Sequence, residues 1–556
     1  MGNHAQQVGV AAQPGIDRAH RRVIFASSLG TVFEWYDFYL YGSLSAIISR
    51  QFFSGVNETT AFIFALLAFA AGFFVRPFGA LVFGRLGDLI GRKHTFLITI
   101  LIMGISTALV GLLPGYAAIG VAAPVTLIVL RLLQGLALGG EYGGAATYVA
   151  EHAPPGKRGL YTSWIQTTAT LGLFLSLLVI LACRLALGER FEAWGWRIPF
   201  LVSIVLLGIS VYIRLQLQES PAFLHIKNTG RLSRAPLKEA FGTWSNLRIV
   251  ILALLGATAG QAVVWYGGQF YALFFLEKIL QVDAQAANLI IAAALLIGTP
   301  FFVVFGALSD RIGRKPVVMG GCVLAALTYF PVFQGLTHFA NPALGAAVAA
   351  APVTVVADPR ECSFQFDPVG RKAFTTSCDV AKSALARMGV PYSNEAAPAG
   401  TVAHVRIGNG AQAVHVEAFD GTGMAKREFG QASESFGARL RQALTAAGYP
   451  ARADMSRLSY PAVIALCTYL VILVTMVYGP IAAWLVELFP TRIRYTSLSL
   501  PYHIGNGWFG GFLPVTSFAI VAATGDIYAG LWYPVAIALM SAMLGTFFLK
   551  TPELKD

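Results

Sequence analysis

Ionisable side chains stand inside long apolar runs of this chain: Glu34 and Asp37 in the first run, Arg131 and Glu141 in the fourth. Charge within a hydrocarbon layer is costly unless it is paired or wetted, so such groups mark sites. Glu34 and Asp37 are three residues apart and share one helix face, with Tyr41 one turn beyond Asp37. Arg131, Gln134, Leu138 and Glu141 stripe their own helix in the same way. An Asp37–Arg131 pair is a proton switch: protonating the carboxylate releases the guanidinium, and deprotonation recaptures it. Glu34 is the rival proton carrier. Arg131 can also hold a carboxylate ligand, because its planar fork matches two carboxylate oxygens at once. Arg76, followed by Pro77 and Gly79, is either a further anion contact or a packing residue in a kinked helix.

The later part of the chain offers polar and aromatic groups instead. Gln261, Trp265 and Gln269 recur every fourth residue with Tyr266 and Tyr271 beside them, and Tyr478, His503 and Asn506 come from later runs. Aromatic residues at helical spacing commonly pack or line an interface. A buried amide without a partner is harder to dismiss. Gln261, Trp265, Gln269, Tyr478 and Asn506 therefore join Arg131, Tyr41, Gln134 and Arg76 as candidate ligand contacts.

The elements that must position these groups are membrane helices. The chain is 56% apolar and only 12% charged, against roughly 25% charged in a soluble protein, and its mean hydropathy is +0.64. Apolar runs lie near 23–49, 61–83, 95–114, 119–150, 162–183, 198–216, 248–276, 286–308, 316–338, 459–486, 496–522 and 529–549. Each can cross a hydrocarbon core about 30 Å thick, which predicts an all-α membrane protein of twelve transmembrane helices. The stretch Gly84 to Lys93 (G-R-L-G-D-L-I-G-R-K) is echoed by Gly306 to Lys315 (G-A-L-S-D-R-I-G-R-K), and Glu151 to Pro154 with Arg158 is echoed by Glu487 to Pro490 with Arg492 and Arg494. An internal repeat of this size means two pseudo-symmetric six-helix halves. The second pair of motifs lies further apart than the first, as an insertion after Lys315 requires.

Lys and Arg cluster in the N-terminal tail and the even-numbered connections, as at Arg85, Arg92, Lys93, Lys157, Arg158, Arg214, Arg311, Arg314, Lys315, Arg492 and Arg494. The positive-inside rule places these and both termini in the cytoplasm. The net charge of +12 is thus topology, and nucleic acid is not an expected partner. The division expected is a tail at 1–22, a first half at 23–216, a linker at 217–247, the start of the second half at 248–340, an external insert at 341–457 and the remainder at 458–556. The insert, between helices nine and ten, reads as a small α+β domain. Strands are expected at Val353–Val356, Ser363–Phe366, Thr401–Gly408 and Gln412–Phe419, the last two joined at Asn409-Gly410, with helices at Cys378–Met388 and Glu434–Ala447. Its two cysteines, Cys362 and Cys378, form a disulfide candidate outside the cytoplasm.

This pattern resembles the major facilitator superfamily, and within it the metabolite:proton symporters that transport citrate, 2-oxoglutarate, shikimate, or proline and betaine. The residues carrying the resemblance are Glu34-Trp35-Tyr36-Asp37-Phe38, Arg76-Pro77-Phe78-Gly79, Arg131 through Gln134-Gly135 to Gly139-Gly140-Glu141, Gly195-Trp196-Arg197-Ile198-Pro199-Phe200 and Glu219-Ser220-Pro221-Ala222-Phe223. The resemblance implies import of a small organic acid with a proton, with Asp37 and Arg131 as the coupling pair. It also implies a cytoplasmic latch on the outward-open state from Gly84, Asp88, Arg92, Lys93, Asp310, Arg314, Lys315, Glu151, Arg158, Glu487 and Arg492. A zwitterion transporter, or a sensor whose insert binds the ligand, are the alternatives. An enzyme is not expected: the insert offers His404 and His415 on neighbouring strands without nucleophile motif, metal spacing or phosphate loop. No cofactor is expected, the lipid bilayer is the surrounding partner, and the chain reads as a monomer.

Overall fold

A computed structural model of the protein describes residues 18–54, 58–365 and 374–550. Two long helices come first, α1 (Arg18–Phe52) and α2 (Glu58–Ile90). Ten further helical stretches among the described residues are long and apolar enough to cross a membrane. They are α3 (Arg92–Leu112), α4 (Ala122–His152), α5 (Arg158–Leu187), α6 (Arg197–Leu215), α7 (Trp244–Ile279), α8 (Ala284–Ile312) and α9 (Arg314–Ala340), then α12 (Tyr460–Leu488), α13 (Arg494–Thr524) and α14 (Ala529–Phe547). Many leucines, valines and phenylalanines on their outer faces are exposed, such as Leu178, Leu185, Leu289 and Phe547, the surface a lipid-facing bundle requires.

The repeated glycine–arginine–lysine motif has a local reason. One residue, Gly91 with φ 119°, separates α2 from α3, and Gly313 with φ 95° separates α8 from α9. Side-chain-bearing residues avoid that backbone region, so glycine is what lets two helices reverse there. Close helix contact has a similar cause where α2 crosses α4: a Cβ built on Gly139 would lie 2.1 Å from the Arg76 carbonyl oxygen. The α7 stretch is interrupted by π-helical turns at Leu254–Thr258, Gly267–Tyr271 and Phe275–Ile279.

Between α9 and α12 lies the α+β segment. Its sheet runs β1 (Val353–Ala357), β2 (Ser393–Ala396), β3 (His404–Ile407) and β4 (Val414–Glu417), in spatial order β2-β1-β3-β4. Strand β1 is parallel to β2 and antiparallel to β3, with Val355 opposite Asn394 and Val405. Two helices, α10 (Ser377–Met388) and α11 (Lys426–Ala446), supply Ala381, Leu385, Phe436 and Leu440 to the core that Val355, Val405 and Ile407 complete.

Two expectations need correction, and one strand was missed. The strand expected at Ser363–Phe366 is absent over its described residues: Ser363 N–H donates to Asp379 Oδ1 and the Gln365 side chain to the Asp379 carbonyl, so this stretch packs on α10 as a loop. Phe366 lies outside the described residues. The β3–β4 connection is longer than a two-residue turn, because Ile407 pairs with Val414 and a 3-10 turn fills Gly410–Gln412. Strand β2 was not expected; its Ser-Asn-Glu-Ala sequence has neither alternation nor branched residues, and all four residues are exposed.

A disulfide joins Cys362 to Cys378, with the Cα atoms 5.2 Å apart and a sequence separation of 16. In the chain-entropy picture such a loop stabilises by about 3 kcal/mol. Cys362→Ser is expected to lower the unfolding temperature of the α+β segment, and reductant is expected to lower it equally in the unaltered protein and not further in the variant, by differential scanning fluorimetry. Acid should loosen the same region. The Arg360 side chain, then the backbone N–H groups of Arg360 and Gly400, hold the Asp358 carboxyl down to about 2 from an ordinary 3.8. A carboxyl with a lowered folded pKa stabilises above its unfolded value and loses that contribution as pH falls from 3.8 towards 2. Asp358→Asn should flatten the stability-versus-pH curve in that window.

The α+β segment is bonded to the ends of α13 and α7. Tyr392 N–H donates to the Gly525 carbonyl at 3.0 Å, Lys382 Nζ to Ala523 at 3.1 Å and Asn394 Nδ2 to Thr524 at 2.7 Å, so the α+β segment caps the last carbonyls of α13. The end of α7 is held by Ala453 N–H on the Gln281 carbonyl. The excursion closes on itself, since Ser459 N–H donates to the Phe339 carbonyl at 2.9 Å.

Candidate functional site: two buried charge centres and an aromatic seam

The first centre is built by α1, α3 and α4. Arg131 Nη1 donates to Asp37 Oδ2 at 3.0 Å and to Gln134 Oε1 at 2.5 Å. Gln134 Nε2 in turn donates to Thr107 Oγ1 at 2.7 Å and to Asp37 Oδ1 at 3.3 Å. The Tyr41 ring lies 3.8 Å from the guanidinium carbon, a cation–π contact on the face the carboxylate leaves free. Asp37 and Arg131 are only 4% and 5% exposed, so the pair is held in a low-dielectric setting where losing one charge changes the fate of the other. A small cleft lies beside Asp37 and Thr107, walled by Phe33, Tyr36, Met103 and Ser203. The side chain of Glu34 lies outside the described residues.

A seam of aromatic side chains joins the two halves. Trp35 of α1 faces Trp265 of α7 at 5.3 Å between ring centroids, and Trp265 faces Tyr478 of α12 at 6.1 Å. Trp265 is 3% exposed and its indole N–H has no hydrogen-bond partner among the described residues, which leaves a desolvated donor at the junction of the halves. Gln261 and Asn506 exchange two side-chain bonds, both 3.2 Å. Gln269 is buried but lies in the π-helical turn Gly267–Tyr271, whose wider turn breaks the four-residue stripe that the sequence spacing implied. Arg76 is half-buried where α2 crosses α4, and its neighbour Pro77 is buried.

The repeated motifs meet at one end of the bundle and tie the halves together. Asp88 accepts from Tyr495 N–H and Thr496 N–H at the start of α13. Asp310, its counterpart, accepts from Gly159 N–H and Leu160 N–H at the start of α5. Each carboxylate thus caps a helix N-terminus in the opposite half, where the orphan N–H groups and helix dipole favour negative charge. Arg92 lies 3.1 Å from Asp88 and 3.5 Å from Glu151, while Arg314 lies 2.6 Å from Asp310 and 3.0 Å from Glu487. Arg92 also reaches the Thr491 carbonyl. Lys93 and Lys315 bond carbonyls near the ends of α6 and α14, Leu215 and Leu549. Gly84 packs on the backbone of Thr496. Arg158 is half-buried at the start of α5, and its partner role falls to the two N–H groups that follow it. Arg492 sits elsewhere: it pairs with Glu239 at 2.5 Å, and Arg494 is the residue that reaches Glu151, at 2.9 Å.

Sequence reading passed over a second buried pair. Glu141 Oε1 accepts from Arg214 Nη2 at 2.6 Å, and Thr99 Oγ1 donates to Glu141 Oε2 at 2.9 Å. Arg214 lies over the Phe96 ring at 3.4 Å, and both charged residues are 1% exposed. Arg214 had the look of a loop cation because it ends an apolar run; the unspent carboxylate of Glu141 was the signal that it needed a partner.

The fold is that of the major facilitator superfamily. A structure of the proton:xylose symporter XylE bound to 6-bromo-6-deoxy-D-glucose superposes with a TM-score of 0.59 at 15% identity, covering 96% of each chain. Residues 23–243 match the family described as sugar (and other) transporters. The chain is 36% identical over 323 residues to the alpha-ketoglutarate permease of Escherichia coli, covering 57% of this chain and 72% of that one. It is 38% identical over 326 residues to the proline/betaine transporter of Salmonella typhimurium, covering 56% of this chain and 64% of that one. This protein belongs to the sugar (and other) transporter family of the major facilitator superfamily.

Proposed function

We propose that the protein is a proton-coupled symporter that imports a small organic acid, a di- or tricarboxylate or related metabolite, by rocking two six-helix halves around a midplane site. In this reading α1 to α6 form one half and α7 to α9 with α12 to α14 the other. The chain lies in the inner membrane as a monomer with both termini cytoplasmic and the α+β segment outside. The observation that carries it is the buried Asp37–Arg131 pair with its Gln134 and Thr107 partners: one carboxylate and one guanidinium that can trade a proton for an anion. Protonated Asp37 frees Arg131 to bind a substrate carboxylate; the deprotonated form recaptures it. The contacts of Asp88, Asp310 and Arg494 across the halves support a state closed at the latch end.

The aromatic seam favours a second reading, in which the substrate is a zwitterion such as proline or betaine. Trp35, Trp265 and Tyr478 present π faces that attract a methylated or secondary ammonium, while Arg131 takes the carboxylate. Uptake into proteoliposomes of labelled citrate, 2-oxoglutarate, succinate, shikimate, proline and betaine, under an imposed inward proton gradient, separates the two. Accumulation of one compound names the class. If nothing accumulates in folded protein, the symporter reading fails, and binding of the same panel, measured by calorimetry, tests a sensor built on the α+β segment.

A further inference from the structure

Two histidines of the α+β segment, which the transport scheme does not use, face each other on its sheet. Strand pairing sets His404 of β3 opposite Glu417 of β4, and Arg406 opposite His415. The same face continues onto β1 and β2 through Val356 and Glu395. These side chains alternate with Val405, Ile407 and Val416, which are buried in the core that α10 and α11 complete, so the histidines stand on the other, solvent side of the sheet. There the His404 and His415 rings lie 5.2 Å apart between centroids, with planes tilted by 44°. His404 is half-buried and His415 is exposed. Neither ring has a hydrogen-bond partner among the described residues. The one guanidinium beside them is already matched, since Arg406 Nη2 donates to Glu395 Oε2 at 2.5 Å. The Glu417 carboxylate makes no hydrogen bond or salt bridge among the described residues, which leaves the face with a surplus of negative charge.

We infer that His404 and His415 form a two-histidine site for a divalent transition-metal ion of the zinc, nickel or copper class. Zinc–nitrogen bonds of about 2.1 Å put each ring centre about 3.2 Å from the ion, and two such rings at a tetrahedral angle stand about 5.2 Å apart. The separation of the two rings meets that requirement without any movement of the strands. Imidazole suits these ions, whereas magnesium and calcium take oxygen ligands. Among the described residues no third histidine, cysteine or acidic side chain completes the group, so water fills the remaining positions and Glu417 contributes charge rather than a bond. The ion ties β3 to β4. No spacing within one stretch of sequence announces the site, because it is the pairing of two strands that makes it, and it stands whatever the membrane helices transport.

The test uses full-length protein purified without a histidine tag and stripped with chelator. Calorimetric titration with zinc chloride alone should show a site that His404→Gln and His415→Gln each weaken at least tenfold, while magnesium and calcium give no binding heat. His225→Gln, at an exposed histidine before α7, should leave zinc binding as it was. In chelator the two site variants should melt with the parent, so that lost binding is not lost fold, and zinc should raise the melting temperature of the parent and not theirs. Should His404→Gln fail to fold, His415→Gln, at the exposed position, decides alone. X-ray absorption at the zinc edge, with one equivalent of zinc, should show two imidazole ligands in the parent and no longer two in either variant. Zinc binding that neither substitution weakens, or a spectrum with sulfur ligands or oxygen alone, means an adventitious ion only and overturns the proposal.

Discussion

Asp37→Asn is expected to bring the accumulation ratio under an inward proton gradient down to about unity, because a carrier without a titratable group has no differential affinity through which the gradient can act. Exchange of external for internal labelled substrate should persist. Asparagine keeps the shape and still accepts from Arg131, so the cluster of Arg131, Gln134, Thr107 and Tyr41 retains its geometry while losing its switch. The pair of measurements, gradient-driven uptake and equilibrium exchange in the same proteoliposomes, separates loss of coupling from loss of fold. Retained accumulation would move the proton elsewhere, and Glu34 would be the next residue to replace.

Arg214→Leu should be the most destabilising single change in the first half. It strands the Glu141 carboxylate, 1% exposed, with only Thr99 as a bonding partner from the original set. Breaking a buried pair in this way costs about 3–5 kcal/mol, whereas replacing both members by apolar groups is often close to neutral. The double variant Glu141→Leu/Arg214→Leu is therefore expected to melt well above Arg214→Leu in detergent. Equal melting of the single and double variants would mean that the pair is not a unit.

The readable parts of this chain were those in which one residue type has few alternatives. A carboxylate and a guanidinium inside apolar runs need each other, so Asp37 and Arg131 could be matched before any coordinates. Two glycines ahead of Arg-Lys pairs, at Gly91 and Gly313, announce helix reversals that other residues resist. The harder parts had many alternatives. His404 and His415 are histidines on neighbouring strands, which usually signals surface side chains, and only the 5.2 Å between their rings singles them out. Ser363 to Phe366 alternates like a strand, yet Asp379 and the neighbouring disulfide draw its described residues, Ser363 to Gln365, onto a helix. Strand β2 has no alternation to read because none of its side chains is buried. Of the two arginines after Pro490, sequence order favours Arg492, but a helix turn carries Arg494 to Glu151.

The bond from Ser459 to Phe339 bears on how the α+β segment came to be there. Chain that leaves a bundle and returns to the same spot asks nothing of the helices on either side, and the entropy of closing a loop rises only slowly with its length. The segment is attached as a graft would be: paring it to a short turn between neighbouring helix ends should leave the register of the membrane helices as it was, losing only its caps on α13 and α7.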